Sequence, residues 1–480
     1  MAEQTLARTV RRDSPDSGVG GDVRPVDQLF LVLEGARPLA GGARWSLAGI
    51  DEVRIRRGSV RAAARELDGA RSVLSIKLPD GLLSSSHGRL VRNGDAWTLV
   101  DDGSTNGTRV DGERVDARVL TDGAGFEMGA AHFILRVAMP TPESAARDLD
   151  SDKLMGREYG IASLVPAYAN ELASFARVAL SGLSILLLGE TGTGKEVLAA
   201  AAHRLSGREG PFVPVNCGAL TATLMESQLF GHMKGAFSGA LRDEPGFVRA
   251  SDGGTLFLDE IGDLPGPSQA ALLRVLETRE VVPVGSTRAV PVDLRVVSAT
   301  LRTVGSLRPD LHARLAGYTH TLWPLRERAE DVGLIFSVLL ARAKGESAST
   351  YKLTPEAGRA LLAHDWPLNV RELNQALGVA LALGQTTTLD VKDFPASILG
   401  VAGDAPASDV PAPSRPEKPA AAAPPPSIPT DDASLRALVV AMLETHRGNV
   451  SDVSRALGKT RMQIHRWMRR FEIDPETFRK

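Results

Sequence analysis

The sequence predicts a multidomain protein with an all-β sandwich, an α/β domain with a parallel sheet, and a small all-α domain, in that order. The length of 480 residues suggests about three domains at roughly 150 residues each. Residues 27–138 contain short apolar runs between Gly, Asp and Asn turns, which is typical of a sandwich. Residues 154–400 alternate short apolar strands with helical stretches, which indicates a parallel sheet. Residues 431–480 return to helical periodicity.

Three segments are predicted to lie outside these domains. Residues 1–26 are polar and rich in Gly, Ser and Asp, so we expect disorder there. Residues 139–153 are predicted as a linker. Residues 401–430 hold nine prolines and eight alanines, a composition that predicts a semi-rigid extended tether.

The overall composition is that of an ordinary soluble protein, with 43% hydrophobic and 24% charged residues. The formal net charge of −2 means that any attraction to nucleic acid must come from a local basic patch. The single cysteine, Cys217, excludes an internal disulfide. Because there is neither a secretory signal pattern nor an apolar run of about 20 residues, we expect a cytoplasmic protein without a membrane span.

Two turns of the first domain carry side chains suited to phosphate. "LLSSSHGRL" and "DDGSTNGTRV" place Ser, Thr and Asn on turns downstream of an arginine. Hydroxyls and amides donate hydrogen bonds to phosphate, and arginine adds charge. The alternative is ordinary turn chemistry, because Asn-Gly is common in hairpins.

This pair of turns resembles the forkhead-associated (FHA) family, which binds phosphothreonine peptides. The resemblance implies a peptide site of Arg57, Ser84 and Asn106, with Thr105 shaping the second loop.

The first domain departs from the family pattern at two points. The usual Gly–Arg reads "RRG", so the arginine is either Arg56 or Arg57. Ser85 replaces a second arginine, which removes one phosphate donor, and His87 is expected to be structural.

The α/β domain opens with a phosphate loop. "SILLLGETGTGKE" is an apolar strand, a glycine loop and a helix start, and Gly189, Gly194 and Lys195 fill the G-x-x-x-x-G-K pattern. Backbone N–H groups and the helix dipole would hold phosphate, and Lys195 would neutralise it. Glu196 stands where the common pattern has a Ser or Thr that ligates Mg²⁺.

A second strand, "GGTLFLDE", ends in two carboxylates. Asp259 is predicted to hold Mg²⁺, and Glu260 to polarise the attacking water. The alternative is that both carboxylates cap the following helix. The next strand ends in Thr300, where a polar group could sense the γ-phosphate.

Three arginines follow these strands. Arg308 and Arg314 are candidates for stabilising transition-state charge, often from a neighbouring subunit, although surface salt bridges are the alternative. Arg371 begins a predicted helix, from which it could reach a nucleotide phosphate.

These motifs, with "ESQLFGHMKGAFSGA", "LLRVLE", "LHARL", "PLRER" and "WPLNVREL", resemble in order the sigma-54-dependent transcription activators of the AAA+ family. The resemblance covers residues 154–400 and implies a AAA+ ATPase with a helical lid, a hexameric ring that is a dimer when inactive, and ATP with Mg²⁺ between subunits. It also implies that Asn216 ties Glu260 to the remodelling loops and that Arg308 and Arg314 act in trans. The implied ATP-binding residues are Gly189, Glu190, Thr191, Gly192, Thr193, Gly194, Lys195, Glu196, Thr300 and Arg371.

The family's phosphate loop has the same Glu as Glu196. Departures at Leu301, at the segment 307–309 and at Leu368 affect the fine tuning of nucleotide sensing rather than the fold.

The stretch "GAFSGA" is glycine-rich and yet carries a phenylalanine. The family's equivalent loop contacts sigma-54, so the resemblance implies that Phe237 makes this contact. Ser238 replaces a threonine, and we expect retained but weaker coupling. The implied contact residues are Gly235, Ala236, Phe237, Ser238, Gly239 and Ala240.

The last domain reads as helix, tight turn and helix. Residues 461–470 hold four arginines and no acid, so the basic charge is local, as DNA binding requires. The stretch resembles a Fis-type helix-turn-helix; a basic helical pair that binds protein is the alternative. The residues predicted to contact DNA are Arg461, Gln463, His465, Arg466 and Arg469.

The leading hypothesis is therefore a transcription activator that binds upstream promoter DNA, senses a phosphothreonine protein or Ser/Thr kinase through the FHA domain, and remodels sigma-54 RNA polymerase with ATP. A second hypothesis is a DNA-binding phosphoprotein adaptor with a weak or vestigial ATPase. A third is a AAA+ remodeller that acts on a different target.

Overall fold

A computed structural model of the chain describes residues 22–221, 224–301 and 307–399, and eight positions between 436 and 473. The chain divides into two units, residues 1–403 and 404–480. The predicted tether and the residues predicted to contact DNA lie outside the described residues, as does the chain up to residue 21. Leu443 and Met468 in the second unit are buried.

The first domain is a β-sandwich. One sheet has the strand order β13-β2-β1-β12-β11-β8-β9, and the other has β10-β7-β6-β3-β5-β4. Side chains on successive residues alternate between the two faces of each strand, so one face of each sheet supplies the core. The strands are β1 (Val23–Glu34), β2 (Ala43–Ser46), β3 (Glu52–Arg57), β4 (Ala62–Asp68), β5 (Arg71–Leu78), β6 (Gly88–Asn93), β7 (Ala96–Asp101), β8 (Thr108–Val110), β9 (Glu113–Val115), β10 (Ala117–Leu120), β11 (Gly125–Met128), β12 (Ala131–Pro142) and β13 (Asp148–Asp150).

The ends of the sandwich differ from expectation. Strand β1 begins at Val23, inside the segment that was predicted to be disordered. The prediction of a linker over 139–153 is also wrong, because β12 continues to Pro142 and β13 pairs with β2. The apolar Met139 is 8% exposed and packs into a hydrophobic core, and burial of its side chain stabilises this stretch on the sheet.

The α/β domain contains a five-stranded sheet of order β15-β16-β19-β14-β20, in which all pairs are parallel. The carboxyl ends of these strands lie at one edge, where ligands bind in such sheets. The elements in chain order are α1 (Pro166–Ala179), β14 (Ile185–Leu188), α2 (Lys195–Leu205), β15 (Phe212–Asn216), α3 (Met225–Phe230), α4 (Gly246–Ala250), β16 (Thr255–Asp259), α5 (Gly266–Thr278), β17 (Glu280–Val281), β18 (Val290–Pro291), β19 (Arg295–Thr300), α6 (Pro309–Leu315) and β20 (Tyr318–Thr321).

A helical lid follows the sheet. It consists of α7 (Val332–Lys344), β21 (Lys352–Leu353), α8 (Pro355–Ala363), α9 (Asn369–Leu383) and β22 (Thr388–Leu389). Among the described residues, no helix has the length and apolar character that crossing a membrane requires.

The sandwich and the lid share a hydrophobic core. Phe30 and Val32 of β1 are fully buried in the same cluster as Phe336 of α7 and Trp366 of the lid. The sandwich therefore has one internal core of its own and a second one that it shares with the rest of the unit.

Candidate functional site

The phosphate loop connects β14 to α2. Gly192 and Gly194 have φ angles of +79° and +105°, a conformation that favours glycine. A Cβ on Gly192 would also lie 2.1 Å from the carbonyl oxygen of Leu368 in the lid. The glycines thus let the loop turn tightly beneath the lid, at a helix N-terminus that attracts anions.

Lys195 is the first residue of α2 and is 7% exposed. Its Nζ donates to the carbonyl oxygens of Gly189 at 3.0 Å and Glu190 at 3.3 Å. The Oε1 of Glu260 lies 3.9 Å from Nζ. A largely buried ammonium held by neutral carbonyls at the mouth of the loop is suited to receive a phosphate.

The two carboxylates lie at the end of β16, as the sequence predicts. Glu260 has a φ of +50°, which is unusual for a residue other than glycine and indicates local strain. Its Oε2 accepts a 3.4 Å hydrogen bond from the N–H of Leu301. Asp259 accepts from the N–H of Glu260 at 3.1 Å. Thr300 ends the neighbouring strand and is 4% exposed, so the three polar groups share one edge of the sheet.

Asn216 lies opposite Asp259 in the β15–β16 register. Its Oδ1 accepts from the N–H groups of Gly218 at 2.9 Å and Ala219 at 3.2 Å, so it caps the next turn. The expected contact between Asn216 and Glu260 is absent from the hydrogen bonds of the described residues: the cap uses Oδ1, and the Nδ2 group that would donate to the carboxylate does not reach it.

Cys217 follows Asn216 and is buried beneath the same edge of the sheet. Burial, with the nearby Asp259 carboxylate, raises the pKa of the Cys217 thiol to about 12. The thiol therefore stays protonated and is a packing group.

The lid closes over the phosphate loop through polar contacts. The N–H of Arg371 donates to the Gly192 carbonyl at 3.3 Å, which places this predicted residue over the loop. Asn369, for which the sequence predicts no role, donates to the Thr191 carbonyl at 3.0 Å and has a φ of +57°. Arg326 forms a two-point ion pair with Glu190 at 2.6 and 2.7 Å.

An apolar pocket lies beside the phosphate loop, between the segment before α1 and helix α7. Arg328 stacks on the Tyr168 ring at 4.9 Å and forms one wall. The motif "PLRER" contains both Arg326 and Arg328, but their roles depend on the lid packing and are not visible in the sequence. The residues that line this apolar pocket include Gly160, Ala162, Thr193, Ile335, Val338 and Val370.

The two candidate trans arginines lie at the start and within the last turn of α6. Arg308 pairs with Asp310 at 2.7 Å, and Arg314 lies 3.5 Å from Glu277. Both side chains are about half exposed, at 48% and 59%. Both arginines form ion pairs with surface carboxylates, and neither pairs with the phosphate loop of the same chain in the described residues.

The "GAFSGA" loop is a compact turn in which Gly235 N–H donates to Ala240 at 2.9 Å. The Phe237 ring packs against His232 with centroids 5.0 Å apart, and it is 36% exposed. It borders a groove of about 820 Å³ over α3 and α4. Phe237 therefore rests partly on its own domain and keeps part of its ring exposed.

The two candidate arginines of the sandwich differ in exposure and in partners. Arg56 donates to the Ser75 hydroxyl at 2.7 Å, whereas Arg57 is exposed at the end of β3 with no recorded side-chain partner among the described residues. Ser84 Oγ accepts from the N–H of Thr105 at 3.2 Å, and Asn106 donates to the Leu82 carbonyl at 2.7 Å. The four predicted residues, with Arg57 as the arginine, therefore lie on adjoining loops.

His87 connects the same loops. It is fully buried, and its Nδ1 accepts from the N–H of Ser84 at 3.1 Å while Nε2 lies 3.4 Å from the Gly107 carbonyl. Burial lowers the pKa of His87, so the ring is neutral. This position agrees with the expected structural role.

The fold and these sites define an α/β domain with a phosphate loop and a helical lid, together with a β-sandwich. Three family models match the chain: the sigma-54 interaction domain over residues 162–319, the AAA+ ATPase lid domain over 326–410, and the FHA domain over 68–129. The chain thus contains these three domains, as the sequence predicts. The Fis-type helix-turn-helix stays a prediction.

Several known proteins resemble this chain. It is 44% identical over 311 residues to the acetoin catabolism regulatory protein of Cupriavidus necator, which covers 63% of this chain and 45% of that protein. It is 43% identical over 238 residues to the sigma54-dependent transcriptional activator SfnR of Pseudomonas putida, covering 48% and 65%. The crystal structure of NtrX from Brucella abortus in complex with ATP is 27% identical, with 64% and 68% coverage and a TM-score of 0.44. The chain thus spans less than two thirds of both curated relatives.

Proposed function

We propose that this protein is a sigma-54-dependent transcription activator driven by ATP hydrolysis. The observation that carries the proposal is the arrangement of Lys195 and Glu260, 3.9 Å apart at the carboxyl edge of a parallel sheet and beneath a lid. The match to the sigma-54 interaction domain supports the target of the ATPase.

ATP binds with its phosphates in the loop over 189–196. Lys195 turns from its two carbonyl partners to the β- and γ-phosphates, and the N–H groups at the start of α2 donate to their oxygens. Arg371 reaches the same phosphates from the lid.

The residues near the phosphate loop suit a magnesium ion. Asp259 offers a hard carboxylate oxygen at the end of β16, the ligand type that Mg²⁺ prefers, and Glu196 adds a second carboxylate nearby in sequence. The ion, when bound, offsets the charge of the phosphates. Glu260 orients the attacking water, and Thr300 senses the γ-phosphate.

The apolar pocket between the segment before α1 and helix α7, called the base pocket from here on, takes the adenine ring. Its α7 side is lined by four aliphatic side chains and Arg342, and the stacked pair of Tyr168 and Arg328 lines another side. Arg308 and Arg314 act on the nucleotide of a neighbouring subunit in a ring, which explains why they are exposed in a single chain.

The remodelling loop 235–240 contacts sigma-54 through Phe237. Ring contact with His232 keeps Phe237 near the surface without burying it, so that loss of this one contact would release the side chain. The FHA loops bind a phosphothreonine peptide through Arg57, and the basic segment 461–470 binds upstream DNA.

The first test measures ATP hydrolysis by the purified full chain. Glu260→Gln should lower turnover by about 10²- to 10⁴-fold while ATP binding is retained, because it removes only the group that orients water. Lys195→Ala should lose both. Glu346→Gln, an exposed lid residue, is the matched control. No hydrolysis by the wild type would reject the ATPase proposal and leave the adaptor hypothesis. Unchanged turnover in Glu260→Gln would instead reject the role assigned to Glu260.

The second test measures open-complex formation by sigma-54 RNA polymerase on a supercoiled promoter with ATP. The wild type should open the promoter, and Phe237→Ala should not, although it still hydrolyses ATP. Hydrolysis without opening by the wild type would mean either that the ATPase acts on another target or that the unliganded first domain holds the ring inactive.

A further inference from the structure

Strand β1 is buried on both faces. Leu29 and Leu31 point into the core between the two sheets of the sandwich, and Phe30 and Val32 point into the core shared with the α/β domain. All four are fully buried. The outer face of this sheet is therefore covered by the ATPase rather than by water.

Helix α7 is the element that meets this covered face. A Cβ added to Gly333 would lie 1.8 Å from the carbonyl oxygen of Val32, so the helix backbone contacts β1 directly. Ser337, one turn later on the same face, lies over Gly41 of the sandwich. At 3.6 residues per turn, Ile335 and Val338 fall on the opposite face, where they line the base pocket.

A second connection reaches the other wall of the pocket. Arg44 of β2 is 1% exposed and donates through Nη1 to the carbonyl of Leu164 at 3.0 Å and through Nη2 to that of Ala146. The N–H of the same Leu164 donates to the Asp331 carboxylate at 2.7 Å, and Ser163 Oγ donates to it at 2.6 Å.

The peptide groups of Leu164 are thus held from two sides, by the lid and by the sandwich. This segment follows Gly160 and Ala162, which line the pocket. Arg44 is the sandwich side chain that fixes one pocket wall, and β1 supports the helix that forms the other.

We propose that the sandwich frames the nucleotide-base pocket, with Arg44 as a positioning residue for the base. The inference rests on the proposed ATP site. It makes the sandwich a part of the structure that nucleotide binding requires, and not only a separate module for binding a peptide.

The test uses the full chain and two ligands, ATP and inorganic tripolyphosphate. Tripolyphosphate occupies the phosphate loop but has no base. Arg44→Met removes both hydrogen bonds, and Gly333→Ala pushes α7 from β1. Each should weaken ATP binding by about tenfold and leave tripolyphosphate binding unchanged, because only the base pocket is distorted. Arg44→Lys, which keeps a donor and the charge, should restore part of the affinity.

Matched controls separate this effect from general damage. Arg24→Met changes an exposed arginine on β1, and Gly378→Ala adds a Cβ to a lid glycine with no atom within 4 Å. Both should bind ATP like the wild type.

The outcomes are distinct. If the wild type binds ATP and both Arg44→Met and Gly333→Ala bind it equally well, the inference is overturned. Equal weakening of ATP and tripolyphosphate, with a lower melting temperature, would also overturn it, because the contacts would then only stabilise the fold. If the wild type binds neither ligand, the proposed ATP site itself fails.

Discussion

The sandwich has two contrasting surfaces. Its loop end carries Arg57, exposed and without a recorded partner in the described residues, beside the Ser84 and Asn106 loops. Its covered face carries apolar side chains such as Leu33, which is 0% exposed against the lid.

Charges on the covered side are paired, in contrast to Arg57. Arg136 bonds Glu330 at 2.6 Å, and Arg359 bonds Glu127 at 2.6 and 2.8 Å. An exposed cation without a fixed partner can bind and release a ligand. A face whose apolar side chains are buried and whose charges are paired stays in place. One small domain thus combines an exposed loop end with a face that is packed permanently against the lid.

The largest expected effect tests the permanence of the covered face. Leu33→Ala should lower the free energy of unfolding by about 2–5 kcal/mol, because it opens a cavity in the shared core. Leu67→Ala is the matched control, since Leu67 is 80% exposed on β4, and it should cost less than about 0.5 kcal/mol. Urea unfolding of the full chain, followed by tryptophan fluorescence, measures both. Equal midpoints would show that the lid does not cover this face in solution.

The second prediction concerns how the stability of the protein depends on pH through a histidine between the sandwich and the lid. His132 of β12 is 2% exposed, and a Cβ on Gly358 of α8 would lie 2.1 Å from its Nε2. Burial lowers the pKa of His132 from 6.5 to about 4, against the opposing effect of Glu127 and with a smaller contribution from Arg359. The unfolded state therefore binds the proton more readily between these values.

It follows that the wild type should lose stability as pH falls from about 6.5 towards 4, by on the order of 3 kcal/mol in full. His132→Gln stays neutral and should lack this component. The measurement is the difference in urea midpoint between the two proteins as a function of pH. A difference that stays constant over this range would contradict the assignment.

The smallest expected effect tests the loop end. Arg57→Ala should weaken capture of phosphothreonine peptides from a library by roughly 10- to 100-fold, the equivalent of one charge-assisted hydrogen bond of about 1.5–3 kcal/mol. Arg56→Ala is the control, because Arg56 is committed to Ser75. Fluorescence anisotropy with a selected peptide measures both. A larger loss in Arg56→Ala than in Arg57→Ala would reverse the choice between the two arginines.

Local patterns were sufficient for much of the α/β site. Glycine spacing around Lys195, and apolar strands that end in Asp259 and Thr300, depend on backbone rules that act within a few residues. The family models agree with the domains inferred from these patterns. The roles of Arg328 and Asn369 were not predicted, because their contacts join segments that are far apart in the chain.

The linker over 139–153 illustrates a different limit. Its polar, Pro-containing composition is typical of a loop, but pairing with β2 satisfies the backbone of its last strand. Whether a segment pairs depends on an available strand edge, which composition does not describe.

The sequence by itself determined the order of the FHA, sigma-54 interaction and lid domains and the position of the phosphate loop, because both follow from short-range periodicity and residue type. Only the tertiary structure decided that Arg57 rather than Arg56 faces solvent, that β1 is buried on both faces, and that Arg44 reaches Leu164. The physical reason is that the apolar pattern of a strand identifies which residues are buried, but not which distant segment covers them. That choice is made when two distant segments pack together.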